Sequence, residues 1–288
     1  MAQQYVRSQE DSGNSIQLEH LNFRQPDQRV ATIFYLMGMG FTRDPYLMVG
    51  IDNMWVNIGR SQIHLPTGEA QRMNGTVGVV VPDLAALCSR LQAVAPRLDG
   101  TQFRFTDRSD FVEVTCPWGN QFRAHSPSPE LGGFEIGMPY VEFLVPPGMA
   151  AGIGRFYSQV IGCLTSLENK RGVDVAVVRV GRGQQLVFRE TDEKLHPYDG
   201  HHLQLYIVDF SGPYKWLLEN GLIMQESDQY QYRFMQFVDP VDKRPLIQLE
   251  HEIRSVTHPL YGRPLVNRNP AQTNRTFNRG QDAFVGTF

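Results

Sequence analysis

The stretch IQLEHLNFRQPDQRVATIFYLMGMGF, residues 16–41, sets two hydrophobic periods next to each other. Residues 16–23 interleave apolar and polar side chains, the pattern of a strand with one face toward a core. Residues 27–41 switch to apolar positions three and four apart, the stripe of an amphipathic helix. Three short runs follow, YLMVGID (46–52), MWVNIG (54–59) and SQIHLP (61–66), and read as a meander of strands. The unit is strand, helix, then three strands.

The same order recurs along the chain. GTVGVVVP (75–82), DLAALCSRLQAVAP (83–96), TQFRFTD (101–107), FVEVTCP (111–117) and NQFRAH (120–125) form the second copy. PYVEFLVP (139–146), GIGRFYSQVIGC (152–163), VAVVRVG (175–181) and QQLVFRE (184–190) form the third, and HHLQLYIVD (201–209), GPYKWLLENG (212–221), YRFMQFVDP (232–240) and PLIQLEHE (245–252) the fourth. Pro82-Asp83 and the Asp209–Pro213 segment are strand-to-helix turns. A repeat at this scale restricts topology before any motif is considered. The Ser-, Pro- and Gly-rich segment SPSPELGGFEIG (126–137) divides the copies into two halves. The expected organisation is 1–132, 133–254 and a weakly patterned tail, 255–288.

Composition limits the function classes. With 41% hydrophobic and 20% charged residues, the 288-residue chain reads as a soluble globular protein large enough for two domains. A net charge of -3 and the lack of a basic run argue against nucleic acid or a membrane surface as partner. No run of about 18 apolar residues suggests a membrane span, and the polar start lacks the apolar core of a signal peptide. Cys88, Cys116 and Cys163 are scattered, without a CxxC pair, so neither a disulfide framework nor a thiolate zinc site is expected. A reducing, cytoplasmic setting follows. No dinucleotide or phosphate-loop motif occurs.

Phe34-Tyr35-Leu36-Met37-Gly38 and the Phe156–Gly162 segment are helix endings, and Cys116-Pro117-Trp118-Gly119-Asn120 and Asp239-Pro240 are turns ahead of the last strand of a copy. With these markers in this order, residues 16–252 resemble the βαβββ modules of the vicinal oxygen chelate superfamily, which includes glyoxalase I, bleomycin-resistance proteins and extradiol dioxygenases. The resemblance implies an α+β fold of four βαβββ modules forming two curled mixed sheets with helices outside. It also implies one divalent metal, held by side chains from the first and last strands of two paired modules.

Those places hold His20 and His64 in module one, Thr76 and Arg123 in module two, Glu142 and Phe188 in module three, and His202 with Gln248 or Glu250 in module four. Pairing one with two, or three with four, assembles no convincing ligand set. Pairing one with four brings His20, His64, His202 and Glu250 or Gln248 together, and leaves Thr76, Arg123, Glu142 and Phe188 as a second, degenerate cleft. A carboxylate neutralises a cation better than an amide does, which favours Glu250 as ligand and Gln248 as a substrate contact. Imidazole and carboxylate suit Fe(II) first, with Mn, Ni or Zn as alternatives. His64 doubles as a candidate acid–base group. Arg123 and Glu142 are a candidate buried ion pair in the second cleft, with Arg123 as a partner for a substrate carboxylate the alternative. His258 and Tyr261, with Arg263, are candidates to close over the cleft and touch substrate.

Three activities compete. A non-haem iron oxygenase, taking a small oxygen-chelating substrate and O2, uses His20, His202 and Glu250 as a two-histidine, one-carboxylate set. A glyoxalase-type isomerase or lyase needs a base beside the metal. A resistance-type binding protein needs neither. The histidine-rich set and the four-module length favour the first. Gln236 stands where an extradiol enzyme has tyrosine, which speaks against ordinary catechol cleavage. Edge strands and the tail suit a homodimer.

Overall fold

A computed structural model describes residues 5–47, 51–269, 272, 275–281 and 283. Each module contributes four strands to one of two mixed eight-stranded sheets. Module one supplies β1 (Ser15–Asn22), β2 (Thr42–Arg43), β3 (Asn53–Ile58) and β4 (Ser61–Pro66), and module two β5 (Gly75–Val80), β6 (Arg104–Asp107), β7 (Phe111–Thr115) and β8 (Gln121–His125). Module three supplies β9 (Gly137–Val145), β10 (Thr165–Lys170), β11 (Val173–Gly181) and β12 (Gln184–Glu190). Module four supplies β13 (His202–Ile207), β14 (Ile223–Asp228), β15 (Gln231–Val238) and β16 (Pro245–Ser255). The sheets run β14-β15-β16-β13-β1-β4-β3-β2 and β10-β11-β12-β9-β5-β8-β7-β6. Module one thus shares a sheet with module four, and module two with module three, through the antiparallel pairs β1–β13 and β5–β9.

The helices obey local chemistry. Asp27 caps α1 (Gln28–Ala31) by accepting from the Arg29 and Val30 amides, and the helix continues in π geometry over Thr32–Gly38. Asp83 caps α2 (Leu84–Val94) by accepting from Ala86. Helix α3 (Ala150–Phe156) likewise runs into a π segment, Tyr157–Ile161, and α4 (Ser211–Glu219) begins beside Asp209, which accepts from Gly212 at 3.0 Å. No helix among the described residues is long and apolar enough to cross a membrane.

The aromatic core follows the halves of the chain even though the sheets do not. Phe34 and Tyr35 of module one pack on Phe122 of module two, with ring centroids 6.0 Å apart in both pairs. Phe156 and Tyr157 of module three pack on Phe237 of module four at 4.5 and 5.6 Å. Each buried ring contributes on the order of 2–3 kcal/mol. His251 belongs to this core: its Nδ1–H donates to the Leu249 carbonyl, and its Nε2 accepts from Tyr157 at 2.6 Å.

Three strand expectations need correction. The run 46–52 supplies no strand among its described residues; residues 48–50 lie outside them, and Thr42–Arg43 takes the first place in the meander. TSLENK and IMQESD, unassigned in the sequence reading, are the edge strands β10 and β14. They are largely exposed and charged, which blunts an open edge and erases the alternation that reveals a half-buried strand.

The sheets meet where β1 crosses β11 and β12. On the N-terminal side of His20, β4 no longer pairs with β1, and the buried amide of Gln184 takes its place at Leu18. Gln184 Oε1 accepts from the Leu18 N–H at 3.0 Å, and its Nε2 donates to the Leu18 carbonyl at 3.0 Å and to Ser61 Oγ at 3.0 Å. Gly181 permits the approach: a Cβ there would stand 3.1 Å from the Ile16 carbonyl and from Gln17 Cα. Gln184→Ala leaves the buried Leu18 N–H without its acceptor, while the Leu18 carbonyl keeps Ser61 Oγ at 2.9 Å, and is expected to cost roughly 1–3 kcal/mol. Its exposed neighbour Gln185→Ala stays within about 0.5 kcal/mol of wild type. Urea unfolding of both variants checks the difference.

Candidate metal centre

The centre begins with a fault in β1. Leu18 faces Leu205 and His20 faces Gln204 on β13, so β1 carries one extra residue, Glu19, at this point. Such a bulge re-aims side chains locally. Here His20 Nδ1–H donates to Glu19 Oε2 at 3.0 Å, although neighbouring strand residues ordinarily point apart. That bond fixes the His20 tautomer and leaves Nε2 as its free lone pair.

Regular alternation supplies the rest of the face. In parallel register His202 faces Glu250, Gln204 faces Glu252 and Tyr206 faces Arg254. Across the antiparallel pair Arg233 of β15 faces Glu252. His20, His202 and Glu252 each offer a donor atom, and the three atoms lie within 4.8 Å of one another. His202 Nε2 stands 3.9 Å from Glu252 Oε2, and His202 Nδ1 stands 3.7 Å from Glu250 Oε1. Around metal bonds of about 2.1 Å, donors stand about 3–4 Å apart, so a small inward rotation closes the set. Gln204, fully buried between His20 and Glu252 in register, has neither amide atom hydrogen-bonded. An unpaired buried amide calls for a missing partner such as water or an ion. Two imidazoles, one carboxylate and an unsatisfied amide beside them fit a divalent cation.

The carboxylates are held by two arginines. Arg233 donates to Glu250 at 2.6 Å and also to Glu252. Arg254 donates to Glu19 at 3.1 Å and stands 2.6 Å from Glu252 Oε1 without hydrogen-bond geometry. Tyr206 donates to Glu19 Oε1 at 3.3 Å. Burial raises the Glu19 carboxyl above its usual range, against the pull of Arg254. Three carboxylates against two guanidiniums leave a net negative face, and each carboxylate has lone pairs beyond those its arginine uses.

The other residues singled out from sequence fall around this group. His64 faces Asn22 on β1 and Trp55 on β3. Its ring stacks on Trp55 at 3.8 Å and lies 6.1 Å from the His20 ring. Its Nδ1 accepts from Asn22 at 3.4 Å and its Nε2–H donates to Asn53 at 2.5 Å, so both nitrogens are occupied. Glu250 is beside His202 and tied to Arg233. Gln248 is exposed and faces Gln236 at the outer end of the strand pair. Tyr261 stacks edge-on against Tyr206 at 5.0 Å, and the His258 ring lies 6.3 Å from Tyr206. Among the described residues, the tail approaches His20 by way of Tyr206 and Glu19. Arg263 pairs with Asp44 at 3.0 Å, and Asn267 donates to the Gly59 carbonyl at 2.8 Å and accepts from its amide at 2.9 Å.

In the second sheet Glu142 takes Arg189 as its partner, at 3.1 Å, in place of Arg123. Phe188 is in the core, stacked on Phe143 at 5.4 Å, and Val187 faces Glu142. The sequence reading missed Glu252, Glu19, Arg233, Arg254 and Gln204. The spacing Glu250-His251-Glu252 puts both carboxylates on one face, which was the available signal.

Burial pushes His20 down to about 3 and His64 to about 2, lowers His202 in the same direction, and pushes His251 to about 4. The folded protein keeps these rings neutral, whereas the unfolded chain takes up protons below about pH 6.5. Stability present above that pH is therefore lost as pH falls toward the folded values. The expected loss is roughly 1 kcal/mol per histidine per pH unit, read from urea midpoints of chelator-treated protein between about pH 7 and pH 5.

No family model and no curated protein matches the sequence. Solved structures do. Glyoxalase I from Zea mays superposes with a TM-score of 0.57 at 13% identity, over 87% of this chain and 95% of that one. A provisionally assigned dioxygenase from Bacillus subtilis subsp. subtilis gives 0.54 at 14% identity, over 84% of this chain and 86% of that one. At such identities the likeness is one of fold, and function rests on the site. With four βαβββ modules paired one with four and two with three, the chain has the fold of the vicinal oxygen chelate superfamily.

Proposed function

We propose that the first cleft holds one divalent metal on His20, His202 and Glu252, and that the protein is a metal-dependent enzyme of the non-haem iron oxygenase kind. The observation that carries this reading is the convergence of two imidazole donors and one carboxylate within 4.8 Å, beside the unpaired amide of Gln204. Two histidines and one carboxylate with open positions suit Fe(II), O2 and a small substrate with two neighbouring oxygens. A metal bound there supplies Lewis acidity toward chelating substrate oxygens.

The surrounding residues have definable tasks. Glu19 holds the His20 Nδ1 proton and so directs Nε2 into the cleft. Arg233 and Arg254 hold Glu252 in place. His64 and Trp55 form a stacked wall, with His64 locked by Asn22 and Asn53. An isomerase needs an unpaired base beside the metal, whereas His64 has both nitrogens engaged and Glu250 is paired with Arg233. That favours the oxygenase over the glyoxalase-type reading. A cytoplasmic setting agrees with Cys88, Cys116 and Cys163, all of them free thiols.

Elemental analysis of protein purified without chelators is expected to give about one equivalent of Fe, or of Mn, Ni or Zn. His20→Ala, His202→Ala and Glu252→Gln are expected to lose it, and His64→Asn to keep it. Metal-free wild-type protein overturns the reading in favour of a binding scaffold. Bound metal with no O2 consumed alongside candidate enediols or phenols moves it to the isomerase class.

A further inference from the structure

The second sheet offers a cleft of opposite character. Two adjoining cavities, of about 560 and 240 Å³, share Thr76 and Gln121, at the level where Thr76 faces Glu142 across the β5–β9 pair. This is the counterpart, in modules two and three, of the place where His20 meets module four. The larger cavity is lined by Arg72, Lys194 and His196, and the smaller by Arg104 and Arg123. Their acidic residues are partly spent: Glu142 on Arg189 at 3.1 Å and Glu113 on Arg108 at 2.9 Å. Among the described residues, Arg72, Arg104, Arg123 and Lys194 have no carboxylate partner. The cleft therefore carries an uncompensated positive charge, whereas the first carries a negative one.

Two buried atoms point to a ligand. Arg123 lies over the Phe111 ring at 4.9 Å, and its Nε–H is buried with no acceptor. His196 commits Nδ1–H to the Pro197 carbonyl at 3.1 Å, which leaves Nε2 as a buried acceptor with no donor. The buried donor lines the smaller cavity and the buried acceptor the larger one; each calls for a partner, and the guanidinium N–H is one that an oxyanion satisfies. Planar guanidinium groups match carboxylate and phosphate oxygens in pairs. We propose that this cleft binds a small oxyanion with at least two negative charges, a phosphate ester or a dicarboxylate, as a site separate from the metal centre.

Isothermal titration of the full chain with inorganic phosphate and with succinate tests this, at low ionic strength because salt screens exposed arginines. One saturable site is expected for at least one anion, and the tighter anion names the ligand class. Arg123→Gln is expected to weaken binding about tenfold or more, Arg123→Lys by less. His202→Ala, in the other cleft, leaves the binding unchanged. Arg104→Gln, on an exposed strand, reads the same cleft should Arg123→Gln fail to fold. The proposal is overturned if neither anion saturates, if the folded arginine variants bind like wild type, or if His202→Ala abolishes binding.

Discussion

The Gln184 amide on the backbone of Leu18 is the constraint from which the rest of the molecule follows. A strand that loses its neighbour partway along its length leaves buried peptide groups, and burying them unpaired costs on the order of a hydrogen bond or more each. Here a side chain from the opposite sheet completes the ladder. The substitution joins the two sheets at one point. It also supports β1 next to the position where the strand takes in an extra residue. Without that bulge, Glu19 and His20 would face opposite sides, and the carboxylate that orients the histidine would sit elsewhere.

Helices and sheets divide the chain in different ways, and both divisions matter. Consecutive modules share aromatic contacts, within one continuous hydrophobic core. The sheets instead join the first module to the last and the two middle ones to each other. A curled sheet built from two copies of one module has two inner faces meeting along β1–β13 or β5–β9. First and last strands of the modules line those faces, so chemistry collects there while the helices cover the other side.

The inner face of the first sheet is an expensive surface. Three carboxylates, two guanidiniums and two imidazoles crowd together there, Glu19, His20, Glu252 and Arg254 buried and Glu250, Arg233 and His202 partly so, and charges removed from water are costly unless paired and hydrogen-bonded. The pairs Arg233 with Glu250 and Glu252, and Arg254 with Glu19, answer part of that cost. Gln204 is left out of the network, which is why its amide argues for a guest. The second sheet shows the same architecture with the charge reversed, as duplicated modules can diverge in side chains while keeping strand register.

Much of this was legible in the residues. The switch from period two to period three-to-four, repeated four times, determined the module and hence the fold, because those periods are properties of the strand and the helix themselves. His20 and His202 could be placed on first strands from their distance to the helix endings. Apolar Ile16, Leu18, Leu21 and Phe23 even record the bulge, since the two-residue alternation slips by one after Leu18. The last strand was harder. The β15–β16 pair contains two irregularities, so counting back from the Val241–Arg244 turn does not give its register. Only the tertiary structure decided that Glu252 joins the histidines, that Arg233 takes Glu250, and that the amides of Asn22 and Asn53 occupy His64. Register, sheet pairing and ion-pair choice depend on groups far apart in the chain, and no local periodicity records them.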